Sequence, residues 1–298
     1  YLFCRYLKLN KTRYLYLASF SLGIATLIRP ISLFFIFVFL FLTFLSKLKV
    51  SVKSAFKYST LSFLIFVLVL SPWLIRNKVV LNTWKISSIS DVNLFIENYA
   101  MLEKYLGKMK PGEDINEVGR ILLGTKNYGE TQRTENAKIL AKEALKEIKE
   151  NAGSYTVMHI EALPGFLVRN SYGNIFFDLG FDDSNIQSKL ASSLSEKDLP
   201  GALNLIKNAP AGAKVLIALL FFWPIVIFCA VIGCIAGFKK YYTNFLFWFL
   251  ILWIGYFLAL TGNLRDISRY KLAINAPLFI FAVFGFYRIF NFLRIHGN

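Results

Sequence analysis

Three groups of basic residues stand where they could meet an anionic substrate. Arg29 lies between Ile28 and Pro30 at the tip of an apolar hairpin, with long uncharged runs on both sides. An arginine so placed either snorkels to the membrane interface or turns inward to bind an anion, because its guanidinium offers a planar fork of donors matched to phosphate. The second group is Arg265, Asp266, Arg269, Tyr270 and Lys271 in the string NLRDISRYKL, directly before the last apolar run. Arg265 and Arg269 are four apart, so a helical backbone stacks them on one face, where they could hold a phosphate or pyrophosphate. Arg76 and Asn77, after Ser71-Pro72-Trp73, form the third group. Other chemistry is sparse. His159 and His296 have no neighbours at metal-ligand spacing. Asp182 and Asp183 would suit a divalent cation, but an adjacent acidic pair in a Gly-rich loop is more often a solvated turn, and no metal site is expected. No dinucleotide fingerprint, P-loop or nucleophile elbow is present. Cys4, Cys229 and Cys234 suggest no disulfide framework.

The elements that would position these residues are membrane helices. Hydrophobic residues make up 56% of the 298 and charged residues 17%, and the apolar residues come in blocks such as 31–45, 61–74, 215–236, 245–260 and 272–286. Blocks of this kind nearly or fully cross a hydrocarbon core about 30 Å thick. In that core the backbone must satisfy its own hydrogen bonds, which selects helices.

A net charge of +16 could suggest nucleic acid, but its distribution argues against it. Four short segments carry basic residues and no acids: the N-terminus with Arg5, Lys8, Lys11 and Arg13, the stretch 47–57, the pair Lys239 and Lys240, and the tail with Arg288 and Arg294. The long stretch 76–213 holds seventeen basic and seventeen acidic residues and is neutral overall. The excess is a topological signal of the positive-inside kind. No nucleic-acid partner is expected, since that would need a basic stripe on one folded face.

Placing the acid-free segments in the cytoplasm gives a consistent topology. Helices over 14–28 and 30–45 form a hairpin with Arg29 at its outer tip, and 58–74 crosses outward, ending at Pro72-Trp73. Helices over 214–236, 245–260 and 272–286 complete the bundle. The predicted fold is all-α: a polytopic transmembrane helical bundle with an extracytoplasmic α-helical loop domain. Its parts are membrane helices in 1–75, the loop domain in 76–213, and C-terminal membrane helices with a cytoplasmic tail in 214–298. Within the loop, Ile139, Leu140, Ala144, Leu145 and Ile148 recur at helical spacing, predicting a helix over 134–150 with Thr134 as its N-cap. A second helix is predicted over 154–168, broken near Pro164-Gly165, and a third over 199–208.

Several strings then resemble one family. GIATLIRPISL is similar to the Gly-x-Ala helical hairpin, ending in Arg-Pro, of GT-C membrane glycosyltransferases. SPWLIRNKVVLNTWKIS resembles their Pro-Trp-x-x-Arg-Asn segment, DVNLFIENYA the stretch after it, and SRYKLAINAPLFIFAVFGF the opening of a late membrane helix. The dolichyl-phosphate-mannose mannosyltransferase-like and aminoarabinose-transferase-like subgroup is the nearest in character. The resemblance covers 14–98 and 262–286 well and the rest only in general character. It implies an enzyme of the inner or plasma membrane that transfers a hexose or pentose, with inversion, from a polyprenyl-phosphate carrier to a glycan, lipid or protein acceptor outside. It assigns Arg29, Arg265, Arg269 and Tyr270 to the donor's lipid phosphate and lets Arg76, Asn77 and Lys271 line the site. The family's acidic base lies in an early outer loop. That loop has no counterpart in this sequence, which begins at Tyr1 and reads as a C-terminal portion, inactive alone. The donor is the only small-molecule partner implied. Rival readings are a polytopic transporter or flippase, and a polymerase or ligase of lipid-linked glycans.

Overall fold

A computed structural model describes residues 1–109, 114–127, 133–168, 193, 198–208, 211–261 and 271–296. These residues are α-helical with short connecting turns, and no strand occurs among them. Four helices are long and apolar enough to cross a membrane: Pro30–Leu48, Val52–Leu81, Phe222–Tyr241 and Leu272–Arg294. Their outward faces carry large apolar side chains such as Phe37, Phe41, Leu64, Leu68, Ile280 and Val283, all exposed within the chain. Such faces suit lipid as solvent rather than water. The chain divides into two compact units, the first comprising 1–161 and 243–264, the second 162–242 and 265–298.

The first unit begins with the short helix α1 (Leu2–Leu9), stopped where Asn10 turns left-handed at φ 55° and donates its N–H to the Tyr6 carbonyl. Helix α2 (Thr12–Ile28) follows. Arg29 is extended, and a 3-10 turn Pro30–Ser32 then leads into α3 (Phe35–Leu48). The Arg29 carbonyl accepts from the Ser32 hydroxyl at 2.9 Å, which fixes the corner. Ser51 caps α4 (Val52–Leu81), its Oγ accepting from the Ser54 amide at 3.1 Å.

Helix α4 does not end at Pro72-Trp73, as its sequence predicts, but continues to Leu81. Proline removes one N–H from the ladder and orphans the carbonyl four residues earlier. Here that carbonyl belongs to Leu68, and the Ser71 hydroxyl donates to it at 2.9 Å. With the acceptor satisfied, the helix runs on for 30 residues, about 45 Å at 1.5 Å per residue and well beyond a core of about 30 Å.

A smaller helical cluster follows in the same unit. It comprises α5 (Ile89–Asn93), a π-helical turn (Leu94–Tyr99), α6 (Ala100–Tyr105), α7 (Ile115–Leu123), α8 (Thr134–Glu150) and the start of α9 (Ala152–Val168), whose residues from 162 onward belong to the second unit. Helix α8 covers the residues its periodicity predicts, although the N-cap position is Arg133 rather than Thr134. It lays Leu140 and Ala144 against Phe95 and Tyr99, with Ile115, Val118 and Leu123 around them. Helix α9 passes through Pro164 unbroken and begins at Ala152, two residues before the predicted start. The unit also takes in the helix Phe245–Thr261 from later in the chain.

The second unit is built on two long helices, and α10 (Leu199–Asn208) belongs to it. Helix α11 (Ala211–Tyr241) and helix α13 (Leu272–His296) pack along their length. Between them in sequence, α12 (Phe245–Thr261) joins the first unit, where Phe249, Trp253, Tyr256 and Phe257 surround Phe35 of α3 at centroid distances of 5.2–6.2 Å. Tyr256 also donates its hydroxyl to the Ile31 carbonyl at 2.5 Å.

Candidate functional site

The far end of α4 builds a cleft of about 200 Å³, lined by Trp73, Arg76, Asn77 and Leu81 and, from the turn that follows, Thr83, Lys85, Ile86, Ser87 and Ser88. Its construction follows from the helix period. Trp73 and Asn77 are four apart and share one face of α4. The Trp73 indole N–H donates to the Ile86 carbonyl at 2.8 Å. The Asn77 amide donates to the carbonyls of Lys85 at 2.9 Å and Ile86 at 3.2 Å. The chain can double back because Asn82 adopts φ 48°, a left-handed conformation that Asn tolerates better than most residues. Asn82 and Thr83 both donate their backbone N–H to the Asn77 carbonyl, closing the helix end.

These bonds aim a cation into the cleft. The Asn77 side-chain oxygen accepts from the Arg76 guanidinium at 2.9 Å, and that guanidinium lies 5.1 Å from the Trp73 ring centroid. Arg76 itself is exposed. One nitrogen and one face of the guanidinium are held, and Ser87 and Ser88 line the same cleft. Lys85 adds a second positive charge but is paired with Asp91 at 2.5 Å. Asp91 is buried, and that pairing occupies the carboxylate nearest the cleft in sequence. A fixed guanidinium beside hydroxyls can bind a phosphate or another compact oxyanion.

The remaining predicted residues fall differently. Arg29 is exposed at the corner after α2. Lys271 is 3% exposed, buried in the second unit. Its Nζ donates to the Leu167 carbonyl at 2.9 Å and lies 3.8 Å from the centroid of Trp223. Burial pushes its pKa down from the ordinary 10.5 to about 8. Lys271 is thus enclosed by its own unit rather than presented to an open surface. Arg265, Arg269 and Tyr270 lie outside the described residues, as do Asp182 and Asp183.

His159 bonds the Leu258 carbonyl at 2.9 Å, a structural contact between α9 and α12 within the first unit. Among the described residues no cluster of His, Cys, Asp and Glu could hold a metal ion. Asn77 is buried, and its amide is committed to the backbone and to Arg76, so its part in the cleft wall is to hold the turn and the guanidinium in place. The sequence did not mark Trp73 or the Thr83–Ser88 turn as parts of a site. The four-residue spacing of Trp73 and Asn77, followed by an Asn able to end the helix, is the signal that could have found them.

Comparison of the chain with protein-family models, with curated proteins and with solved structures gave no match. The fold and the cleft define a class only: an all-α protein with helices able to span a membrane, carrying an oriented arginine at the end of one of them.

Proposed function

We propose that this chain acts as a membrane glycosyltransferase, moving a sugar from a polyprenyl-phosphate carrier to an acceptor at the extracytoplasmic face, with the α4 cleft as part of the phosphate site. The observation that carries the reading is the arginine held between Asn77 and Trp73 at the end of a 30-residue apolar helix. A lipid-linked substrate would present its phosphate at the depth where such a helix leaves the hydrocarbon. The resemblance of the Pro-Trp-x-x-Arg-Asn segment to GT-C enzymes points the same way.

In such a transfer the acceptor oxygen attacks the anomeric carbon while the bond to phosphate oxygen breaks. The electron pair leaves with the phosphate, and a base takes the acceptor's proton. A cation already in place lowers the cost of the charge that gathers on the leaving phosphate. Arg76 is assigned that part. Asp91 is bound to Lys85, and the base is not assigned among the described residues. Arg29, Arg265, Arg269 and Tyr270 remain candidates for further donor contacts, and the large α5–α9 cluster is placed on the extracytoplasmic side to receive the acceptor.

The test is binding of polyprenyl phosphate by the protein in nanodiscs, followed by phosphorus NMR. Arg76→Ala is expected to weaken binding about tenfold or more, and Arg76→Lys to recover only part of it, because an ammonium cannot offer the paired donors. Equal binding by the parent and Arg76→Ala would sink the assignment.

A further inference from the structure

At the opposite end of α4 the first unit gathers positive charge from two separate turns. Helix α1, the connection after it and the start of α2 carry Arg5, Lys8, Lys11 and Arg13, all exposed. The α3–α4 connection carries Lys49, Lys53 and Lys57, also exposed. The two connections are fastened together by Lys47, whose Nζ donates to the Asn10 side-chain oxygen at 2.7 Å and lies 4.7 Å from the Tyr58 ring centroid and 5.5 Å from that of Tyr6. Tyr6 adds a hydroxyl bond to Ser46 at 2.9 Å. Lys49 also lies 4.7 Å from the centroid of Phe245, the first residue of α12, so that helix begins at the same end. None of the seven exposed cations forms an ion pair with a described residue, and no Asp or Glu occurs before Asp91 in the sequence.

We propose that this end of the first unit is a binding surface for anionic phospholipid head groups. Position selects lipid over other polyanions. The cations sit on α1, at the start of α2 and around the junction of α3 and α4, and α3 and α4 lie in spans long and apolar enough to cross a bilayer, so they lie at head-group depth. Tyrosine rings accompany them: Arg5 stands 5.1 Å from the Tyr14 centroid and Arg13 5.0 Å. Tyrosine is the residue type favoured where hydrocarbon meets water. A cluster of four to eight basic residues beside a membrane helix attracts anionic lipid through additive short-range contributions. Here the fold makes one cluster from two turns that are 37 residues apart at the Lys47–Asn10 bond. The inference is independent of the glycosyltransferase reading and survives if that reading fails.

The experiment is electron spin resonance on the full chain in phosphatidylcholine vesicles, with spin-labelled phosphatidylglycerol or spin-labelled phosphatidylcholine as probe. Phosphatidylglycerol is expected to be preferred at the protein surface by about fivefold or more at low salt, and the preference to fall towards unity in about 0.5 M salt. Changing Lys49, Lys53 and Lys57 together to Gln is expected to remove most of it, and changing them to Arg to retain it. The salt titration needs no variant and keeps the proposal testable if the Gln protein does not fold. Equal association of the two lipids, a preference untouched by the Gln changes, or displacement of the labelled lipid by millimolar glycerol phosphate would each overturn it; the last would indicate a site for a free phosphate.

Discussion

The two units hold their helices together by opposite means. In the second, α11 and α13 touch backbone to backbone: a Cβ added to Gly233 would collide with the Phe281 carbonyl, and one added to Gly285 with the Cys229 carbonyl. In the first, the joints are side chains: the aromatic group around Phe35, the Lys47–Asn10 bond, and the hydrogen bonds from Trp73 and Asn77. Gly23 of α2 is intermediate, for an added Cβ there would stand 2.7 Å from Val69 Cβ rather than against backbone. Small residues admit close approach where lipid gives helices no hydrophobic reason to associate. Side-chain joints of this kind also fold the turn after α4 back onto the helix end, and the cleft lies there. The unit that carries the candidate site is the one joined through side chains.

The largest effect should come from filling a glycine contact. Gly285→Leu is expected to cost about 3 kcal/mol or more, because the obstructing atom is backbone and cannot rotate away, whereas Gly23→Ala should cost about 1–2 kcal/mol. Thermal unfolding of the two variants in detergent would show the contrast, and equal losses would erase the distinction between the units. Next comes the side-chain joint at the cleft. Asn77→Ala strips the donors from the carbonyls of Lys85 and Ile86 and should cost about 1–3 kcal/mol. Faster amide exchange across residues 83–88 would place that loss at the turn.

Lys271 supplies a pH test of the second unit. Its folded pKa of about 8 lies below the ordinary 10.5. Between those values the unfolded chain still holds the proton and the folded one has released it, so stability rises with pH across that window. Melting temperatures measured from pH 7 to 10 should climb for the parent chain and climb less for Lys271→Met.

The smallest effect concerns Glu103 in the α5–α9 cluster. One of its oxygens is buried without a hydrogen bond, since Lys108 at 3.7 Å is near enough for attraction but too far to donate. Lys108 also pairs with Glu147. Burial raises the Glu103 pKa above the usual 4.5. The folded state therefore prefers the protonated form and loses stability as pH rises above that value. Glu103→Gln is expected to stabilise the protein at pH 7 by under about 1 kcal/mol, with the gain vanishing near pH 4.

Much of the helical layout was legible in the residues. The helix over 134–150 follows from the recurrence of Ile139, Leu140, Ala144 and Ile148, and the corner at Arg29-Pro30 follows from the proline. The end of α4 was not legible, because the residue that rescues the helix at Pro72 is a serine whose hydroxyl had no reason to be noticed. The site was legible only in outline. Arg76 and Asn77 stand out as polar residues at the end of an apolar run, but their division of labour depends on carbonyls eight and nine residues further on.

Sequence alone determined that this chain is helical and able to cross a membrane. Backbone hydrogen bonds in an α-helix close within a single turn, and hydrocarbon forbids leaving them open. It also determined the charge asymmetry that gathers cations in acid-free turns. Tertiary structure decided which polar groups face outward and which are spent inside. Arg76 is steered into a cleft, Asn77 is consumed in holding it, and Lys271 is turned onto Trp223. The cleft hangs on a turn that folds back eight and nine residues beyond Asn77, and Lys271 on partners far along the chain, and no helical period or propensity encodes either approach.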